Sequence, residues 1–562
     1  MKNKIGLAEK ALFFLASALA AQAVVCVLTN VLTDHLSFLA ITAERLRQLS
    51  GLGALASAIA SALVLSLARL VPHISLSISI PQKTVSRRKP TSPWWRVMNL
   101  ALCGIILTQS IMQLHAPLDW DELDTATRLG TPSVCPINDS DPYRNRDLIS
   151  PTKNTRNHTI ANIAVVTAYR LFGVSEHIAR LPSLLFTILL LMALLALTEG
   201  ILPPVALTFL LVHLATNGLF VWYSHSLRGY ISMELFTFLA LMELLRSDNP
   251  RSSAWMYAGF ILAASITHTF GALFCLLLFS AHLMWTAWQA PALKPAALNF
   301  HLRRIGVALL SAPIILYVLA RQFLFLNQIG FLNSQAPAEK SEAVVTALGI
   351  SSPAAGFWIV LVILLTLVAQ WIRHRKINLL GCYLVFSAVV LGTLVHLLKA
   401  TLFEPRFLLA FLIPTMLWVG VTISEVRLSL PRYALWALAL AIFLILPLKS
   451  RTEIFEHRTS LMGGFGNFMT KVTAIVPRSD ANCIAFSGEP DQVMFSLGLF
   501  YPRRETTDLC QSHYRVHFAK SWKGQSLAQG PVETWMPLLN DGDGRTLEQS
   551  TTTNSPVALK NP

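Results

Sequence analysis

Charge is what this chain has least of. Only 13% of its 562 residues are charged, while 54% are hydrophobic and the mean hydropathy is +0.54; soluble domains carry roughly 25% charged residues. That balance excludes a soluble globular enzyme. Cysteine is scarce as well, seven in the whole chain, which rules out a disulfide scaffold, and the apolar content rules out disorder. No zinc-ligand spacing occurs, and neither a Gly-rich phosphate loop nor a Rossmann strand–helix fingerprint is present, so nucleotide sites of those kinds are excluded.

What is present is a series of long apolar runs. A membrane span needs about 20 apolar residues, and about thirteen segments approach that length: 11–32, 52–71, 97–114, 181–199, 202–221, 230–246, 254–269, 271–288, 305–325, 354–372, 379–397, 406–424 and 433–449. The first has a basic start like a signal peptide. Its apolar run is longer than the 7–15 residues of a signal h-region, so it reads as a span.

The net charge of +15, from 45 Lys and Arg against 30 Asp and Glu, would point to nucleic acid if it were clustered on a soluble face. Here the basic residues sit in short loops, and Lys and Arg favour cytoplasmic loops. With the N-terminus inside, the cytoplasm receives Lys2, Lys4 and Lys10, then Lys83, Arg87, Arg88, Lys89 and Arg96, then Arg246 and Arg251. Lys294, Arg303 and Arg304, then Arg373, Arg375 and Lys376, then Arg427 and Arg432 fall on the same side. The odd number of spans puts the C-terminus outside.

Three domains follow: two N-terminal spans with a basic loop over 1–96, a membrane core over 97–449, and a soluble appendage over 450–562. In the appendage acidic and basic residues balance at eleven each. Ala481 to Ser487 reads as a buried strand, Asp491 to Tyr501 as a helix or second strand, and the last 25 or so residues as mobile. The outer loop of the core, 115–180, is too long for a plain connection. Within it Ile160, Ile163, Ala164, Thr167 and Leu171 recur at helical spacing, which predicts a helix lying in the interface. Cys26, Cys103, Cys275 and Cys382 fall within spans, and Cys135, Cys483 and Cys510 outside. A Cys483–Cys510 bridge is chemically permitted there, with Cys135 as rival partner.

The outer end of the third span carries Asp119, Asp121, Glu122 and Asp124, four carboxylates in six positions that need a cation, a metal or a substrate hydroxyl. Positive and hydrogen-bonding groups occupy the outer ends of other spans: His225, Arg228 and Tyr230 between two of them, His268 at the end of another, and Lys399, Glu404 and Arg406 by the twelfth. An acidic loop inside a basic rim suits a polyisoprenyl-phosphate donor, because Arg holds phosphate bidentately while a carboxylate takes a proton from an attacking hydroxyl.

At these residues the chain resembles the GT-C superfamily of polytopic glycosyltransferases, in its protein mannosyltransferase and aminoarabinose lipid A transferase-like branch. The resemblance rests on Asp121-Glu122 in the first outer loop, on Leu171-Phe-Gly and Glu176-His-Ile-Ala-Arg-Leu-Pro-Ser183, on Arg228-Gly-Tyr230, on Thr267-His268 and on Glu404-Pro-Arg-Phe-Leu-Leu409. The two spans before residue 97 are additional to the family's usual start, and where relatives often read His-Pro-Pro this chain has Asn157-His-Thr-Ile160.

The resemblance implies an all-α polytopic fold of GT-C type with a small α/β C-terminal domain. It implies an inverting transfer of a monosaccharide from a polyprenyl-phosphate sugar to an acceptor hydroxyl, made at the periplasmic face of a bacterial inner membrane. Asp121 would be the base, with Glu122 supporting the loop or the acceptor. Arg228, Arg406, Lys399 and His225 would hold the donor phosphate, and Asp119, Tyr230, His268 and Glu404 would contact substrate. No cofactor is required by this logic, though the acidic residues with His268 could hold a divalent metal. The acceptor is a glycolipid, polysaccharide or protein. Two competing readings are an oligosaccharide ligase or oligosaccharyltransferase of the same fold, and a lipid or sugar transporter, against which stands the lack of internal repeats.

Overall fold

The computed structural model describes residues 93–115, 158–173, 175–198, 203–245, 253–328, 379–398 and 409–425, four strands between 484 and 550, and a few single positions including 122. Four helices among these are long and apolar enough to cross a membrane: Pro93–Met112, His177–Leu197, Thr269–Ala292 and Pro295–Arg321. The elements of the core, in chain order, are α1 (Pro93–Met112), α2 (Thr159–Phe172), α3 (Glu176–Thr198), α4 (Pro204–Thr216) and α5 (Gly218–Tyr223). They continue with α6 (Tyr230–Leu245), α7 (Ala254–Thr267), α8 (Thr269–Gln289), α9 (Pro295–Gln328), α10 (Leu379–Leu398) and α11 (Leu412–Glu425).

These helices coincide with the apolar runs from 97 to 424 apart from 354–372, which lies outside the described residues, as do 11–32 and 433–449. Two runs end differently from expectation. The run 202–221 is not one helix, because Asn217 stands extended and its Oδ1 accepts the Phe220 N–H at 2.9 Å, starting α5 anew. The run 305–325 extends back to Pro295, so Arg303 and Arg304 are helical rather than loop residues. Arg304 is buried there, 3.6 Å from Glu243 at the end of α6. A charge at that depth is tolerated because it is paired.

α6, α7, α8 and α11 enclose one apolar core in which Phe220, Trp222, Phe274, Tyr383 and Trp418 are buried. α11 lies against α4 closely enough that a Cβ on Gly420 would stand 2.9 Å from Ala206 Cα. Small residues at helix crossings allow such approach, and in lipid that packing supplies much of the attraction between helices. Cys103, Cys275 and Cys382 are free thiols inside helices, as their place in spans implied. The cysteines at 135, 483 and 510 lie outside the described residues.

The predicted interface helix is α2. Its protein-facing side carries Ala161, Asn162, Val165, Ala168 and Tyr169, while Ile163, Leu171 and Phe172 are exposed. In the appendage, Ile484–Ser487 is a strand, β1, inside the segment read as one. It pairs parallel with β2 (Tyr514–Phe518), β2 antiparallel with β4 (Arg545–Ser550), and β4 antiparallel with β3 (Trp535–Asn540). The sheet order is β1-β2-β4-β3. Within the stretch read as mobile, β3 and β4 pair on either side of the turn-forming sequence Asp541-Gly-Asp-Gly544. The register shifts at Pro537, whose missing N–H cannot serve the ladder. The segment 491–501 lies outside the described residues.

Candidate active site

Hydrogen bonds and ring contacts join the end of α1, the start of α3, the residue before α2, the turn before α6 and the junction of α7 and α8 at one end of the bundle. The turn Ser224-His-Ser-Leu-Arg-Gly229 between α5 and α6 is the centre of that end. Side chains from four other segments capture it. Ser110 Oγ of α1 meets Ser224 Oγ at 2.5 Å, and Thr187 of α3 donates to the Ser224 carbonyl at 2.7 Å. The Leu227 N–H donates to Glu122 at 2.7 Å, and the Gly229 N–H to His158 Nδ1 at 3.2 Å.

Glu122 is fully buried and its charge is met by Arg180. Arg180 Nη2 donates to Oε2 at 2.7 Å and Nε to Oε1 at 3.3 Å, a bidentate pair with both side chains at 0% exposure. The remaining guanidinium nitrogen, Nη1, donates to the carbonyls of Gln113 and Leu114 where α1 ends, at 3.2 and 3.3 Å. His177 adds a bond from Nδ1 to the Leu114 carbonyl at 3.0 Å. One arginine thus joins the end of α1, the acidic loop and the start of α3, while its carboxylate partner joins them to the 224–229 turn. Glu122 is therefore an anchor of the loop.

Beside this latch three rings form a nearly equilateral triangle. His158 and His268 are 4.9 Å apart, His158 and Tyr230 5.2 Å, and Tyr230 and His268 5.3 Å, centroid to centroid. All three are 5% exposed or less. His268 stands extended between α7 and α8 and its Nδ1 accepts the Phe270 N–H at 3.0 Å, capping α8. Gly229 lets His158 come close: a Cβ there would lie 3.0 Å from His158 Nδ1 and 3.4 Å from Thr267 Cγ2.

Arg228, between this triangle and Glu122's turn, is 3% exposed. His225 is buried with its Nδ1–H donated to the Val221 carbonyl at 3.0 Å. Burial, then the positive field of Arg180, hold it down to about 4 against the opposing pull of Glu122.

Of the residues expected at the site, the structure thus brings Glu122, His225, Arg228, Tyr230 and His268 to one end of the bundle. Asp119, Asp121, Lys399, Glu404 and Arg406 lie outside the described residues. Among the described residues no group of three or more His, Cys, Asp or Glu could hold a metal. Two residues of the site had no role assigned from sequence. Arg180 sat within a quoted motif, and a lone Arg at the start of an apolar run was its signal; His158 was visible only as a histidine just before a helical pattern.

No protein-family model and no characterised protein matches the chain by sequence. Among solved structures it is similar to ArnT from Cupriavidus metallidurans in the apo state, with a TM-score of 0.50 and 13% identity over 82% of this chain and 99% of that one. The same protein bound to undecaprenyl phosphate aligns at 0.49, with 12% identity and the same coverage. The apo oligosaccharyltransferase of Archaeoglobus fulgidus aligns at 0.38, with 13% identity over 64% of this chain and 56% of that one. The likeness to apo ArnT shows that this chain shares the fold of that protein.

Proposed function

We propose that this chain is an integral membrane glycosyltransferase of GT-C type, moving a monosaccharide from a polyprenyl-phosphate donor to an acceptor hydroxyl with inversion. The observation that carries the proposal is the Glu122–Arg180 latch, which fixes the backbone next to Asp121 against the turn bearing Arg228, at one end of an apolar helix bundle. In this reading a carboxylate, an arginine and hydrogen-bonding rings serve a lipid phosphate held at that end of the bundle.

The acceptor oxygen attacks the anomeric carbon as Asp121 takes its proton. The anomeric carbon–oxygen bond to phosphate breaks, and polyprenyl phosphate leaves with that electron pair toward Arg228 and Arg406. One displacement inverts the centre. The reaction balances with no redox step and no nucleotide. Lys399 joins the phosphate rim, while Asp119, Tyr230, His268 and Glu404 contact substrate, and the site faces the periplasm of an inner membrane with the N-terminus in the cytoplasm and the appendage outside.

The test is transfer of a radiolabelled monosaccharide from its polyprenyl phosphate by membranes holding the wild type or Asp121→Asn. A positioned base contributes roughly 10²–10⁴-fold, so the variant should lose about that much at saturating donor while Asp119→Asn loses less. No transfer by the wild type from any polyprenyl-phosphate monosaccharide, or transfer only of a preassembled oligosaccharide, sinks the proposal.

A further inference from the structure

Three carboxylates are buried among the described residues: Glu122, Glu243 and Glu234. Two of them are met. Glu122 is held by Arg180, and Glu243 by Arg304 and by the Ser253 N–H at 3.1 Å. Glu234 is 1% exposed, and neither of its oxygens has a hydrogen-bond partner among the described residues. The Ile413 N–H at the start of α11 faces this carboxyl without a bond of good geometry. A buried carboxyl left without a partner is costly, and inside a membrane bundle an ionisable group of that kind marks a place where something binds.

Its position puts it at the site. Glu234 stands one turn after Tyr230 on the same face of α6, and helical side chains lean toward the N-terminus of their helix. The carboxyl is thus directed back toward the 224–229 turn and the ring triangle. A file of rings leads from that triangle to the start of α11: His268 to Phe270 at 5.8 Å, Phe270 to Phe274 at 6.1 Å, and Phe274 to Phe411 at 4.6 Å. Ile413 is two residues beyond, so both neighbours of the Glu234 carboxyl belong to the same end of the bundle. Four residues of helix rise, about 6 Å, separate Tyr230 from Glu234, a distance that one sugar ring spans.

The chemistry of the group narrows what it can take. A carboxyl repels phosphate, so it is no part of the basic rim, but either oxygen accepts a hydroxyl proton. The neutral part of a sugar phosphate, its ring, presents several hydroxyls. We propose that Glu234 is a specificity-determining residue of the site, accepting a hydrogen bond from one ring hydroxyl of the transferred monosaccharide. The assignment rests on the donor reading given under Proposed function.

The test is a cycle between enzyme and substrate. Membranes holding the full-length wild type, Glu234→Gln or Glu234→Met are assayed with an undecaprenyl-phosphate monosaccharide that the wild type uses, and with analogues each lacking one ring hydroxyl. Methionine fills the volume without accepting, whereas glutamine keeps one accepting oxygen. A hydrogen bond to a charged group corresponds to roughly 10–100-fold, so Glu234→Met should lose at least about tenfold in kcat/KM, and Glu234→Gln less. One deoxy analogue should lose a similar factor with the wild type and nothing further with Glu234→Met. The other analogues should lose the same factor with both proteins. Melting of the purified variants checks folding, and if Glu234→Met does not fold, the isosteric Glu234→Gln carries the cycle with a smaller coupling to the same hydroxyl.

Wild-type kinetics in a folded Glu234→Met, or losses that multiply independently for every analogue in folded variants, overturn the assignment of Glu234 and leave the donor reading standing. A wild type that transfers from no polyprenyl-phosphate monosaccharide overturns the donor reading and the assignment with it.

Discussion

Removing Arg180 should cost more than removing any single contact at the site end of the bundle, because one guanidinium satisfies three segments. In Arg180→Met the Glu122 carboxylate stays at 0% exposure with the Leu227 N–H as its remaining partner among the bonds described, the Gln113 carbonyl loses its bond from Arg180, and the Leu114 carbonyl keeps only that from His177. Breaking a buried ion pair by removing one member costs roughly 3–5 kcal/mol, since the other charge is stranded. Glu122→Gln should cost a similar amount, because its amide must point either an N–H at Arg180 or an N–H at Leu227. In the double variant no charge is stranded and the Gln oxygen still takes the Leu227 N–H. The double loss should therefore fall short of the sum of the single losses by about 2–3 kcal/mol. The measurement is a double-mutant cycle on unfolding in detergent, followed by protease sensitivity of the 115–157 loop, which should rise in both single variants. Additivity within about 0.5 kcal/mol would falsify the latch, and with it the argument that Glu122 anchors the loop.

Two further expectations concern other parts of the structure. His225 is held down to about 4, below its ordinary 6.5, so the folded state binds fewer protons than the unfolded chain across that window; the stability it confers is present above pH 6.5 and lost as pH falls toward 4, by roughly 3 kcal/mol in all. His225→Gln should flatten the fall of melting temperature between pH 6.5 and 4 relative to wild type, and an unchanged slope would refute the burial argument. Gly420→Ala sets a Cβ 2.9 Å from Ala206 Cα and 3.2 Å from its carbonyl oxygen; pushing α11 from α4 should cost on the order of 1–3 kcal/mol, whereas Gly259→Ala on α7, with nothing within 4 Å, should be neutral.

What could be read from the sequence divides along a physical line. Hydropathy is a property of a segment, so the helices from Pro93 to Glu425 that are described coincide with runs legible by length alone. A helix break is a property of one side chain meeting one backbone N–H. The break at His268 fell between two apolar runs and could be read, but Asn217 interrupts a run without lowering its hydropathy enough to show. Strand pairing between 535 and 550 was missed because Gly, Thr, Asn and Pro raise the turn count without revealing that Leu539 and Leu547 face each other in register.

The site divides the same way, and the division explains the two carboxylates. Charges at the outer ends of spans are conspicuous against apolar surroundings, so Glu122, Arg228 and His268 stood out. Their partners did not, since Arg180 is 58 positions from Glu122 and His158 is 71 from Gly229, separations that no periodicity encodes. A pair of adjacent acids gives no hint of which is structural until one of them is seen to be saturated. Glu122 accepts three hydrogen bonds and has no exposure left for an acceptor. A carboxylate held that way is pinned, and pinning is what the proposed mechanism requires of the residue beside its base: the loop must not shift as the neighbouring carboxyl changes charge during proton transfer. For the base proposed at Asp121 the same pairing matters electrostatically, because the Glu122 charge next to it in the chain is met by Arg180, a partner that nothing in the local sequence announced.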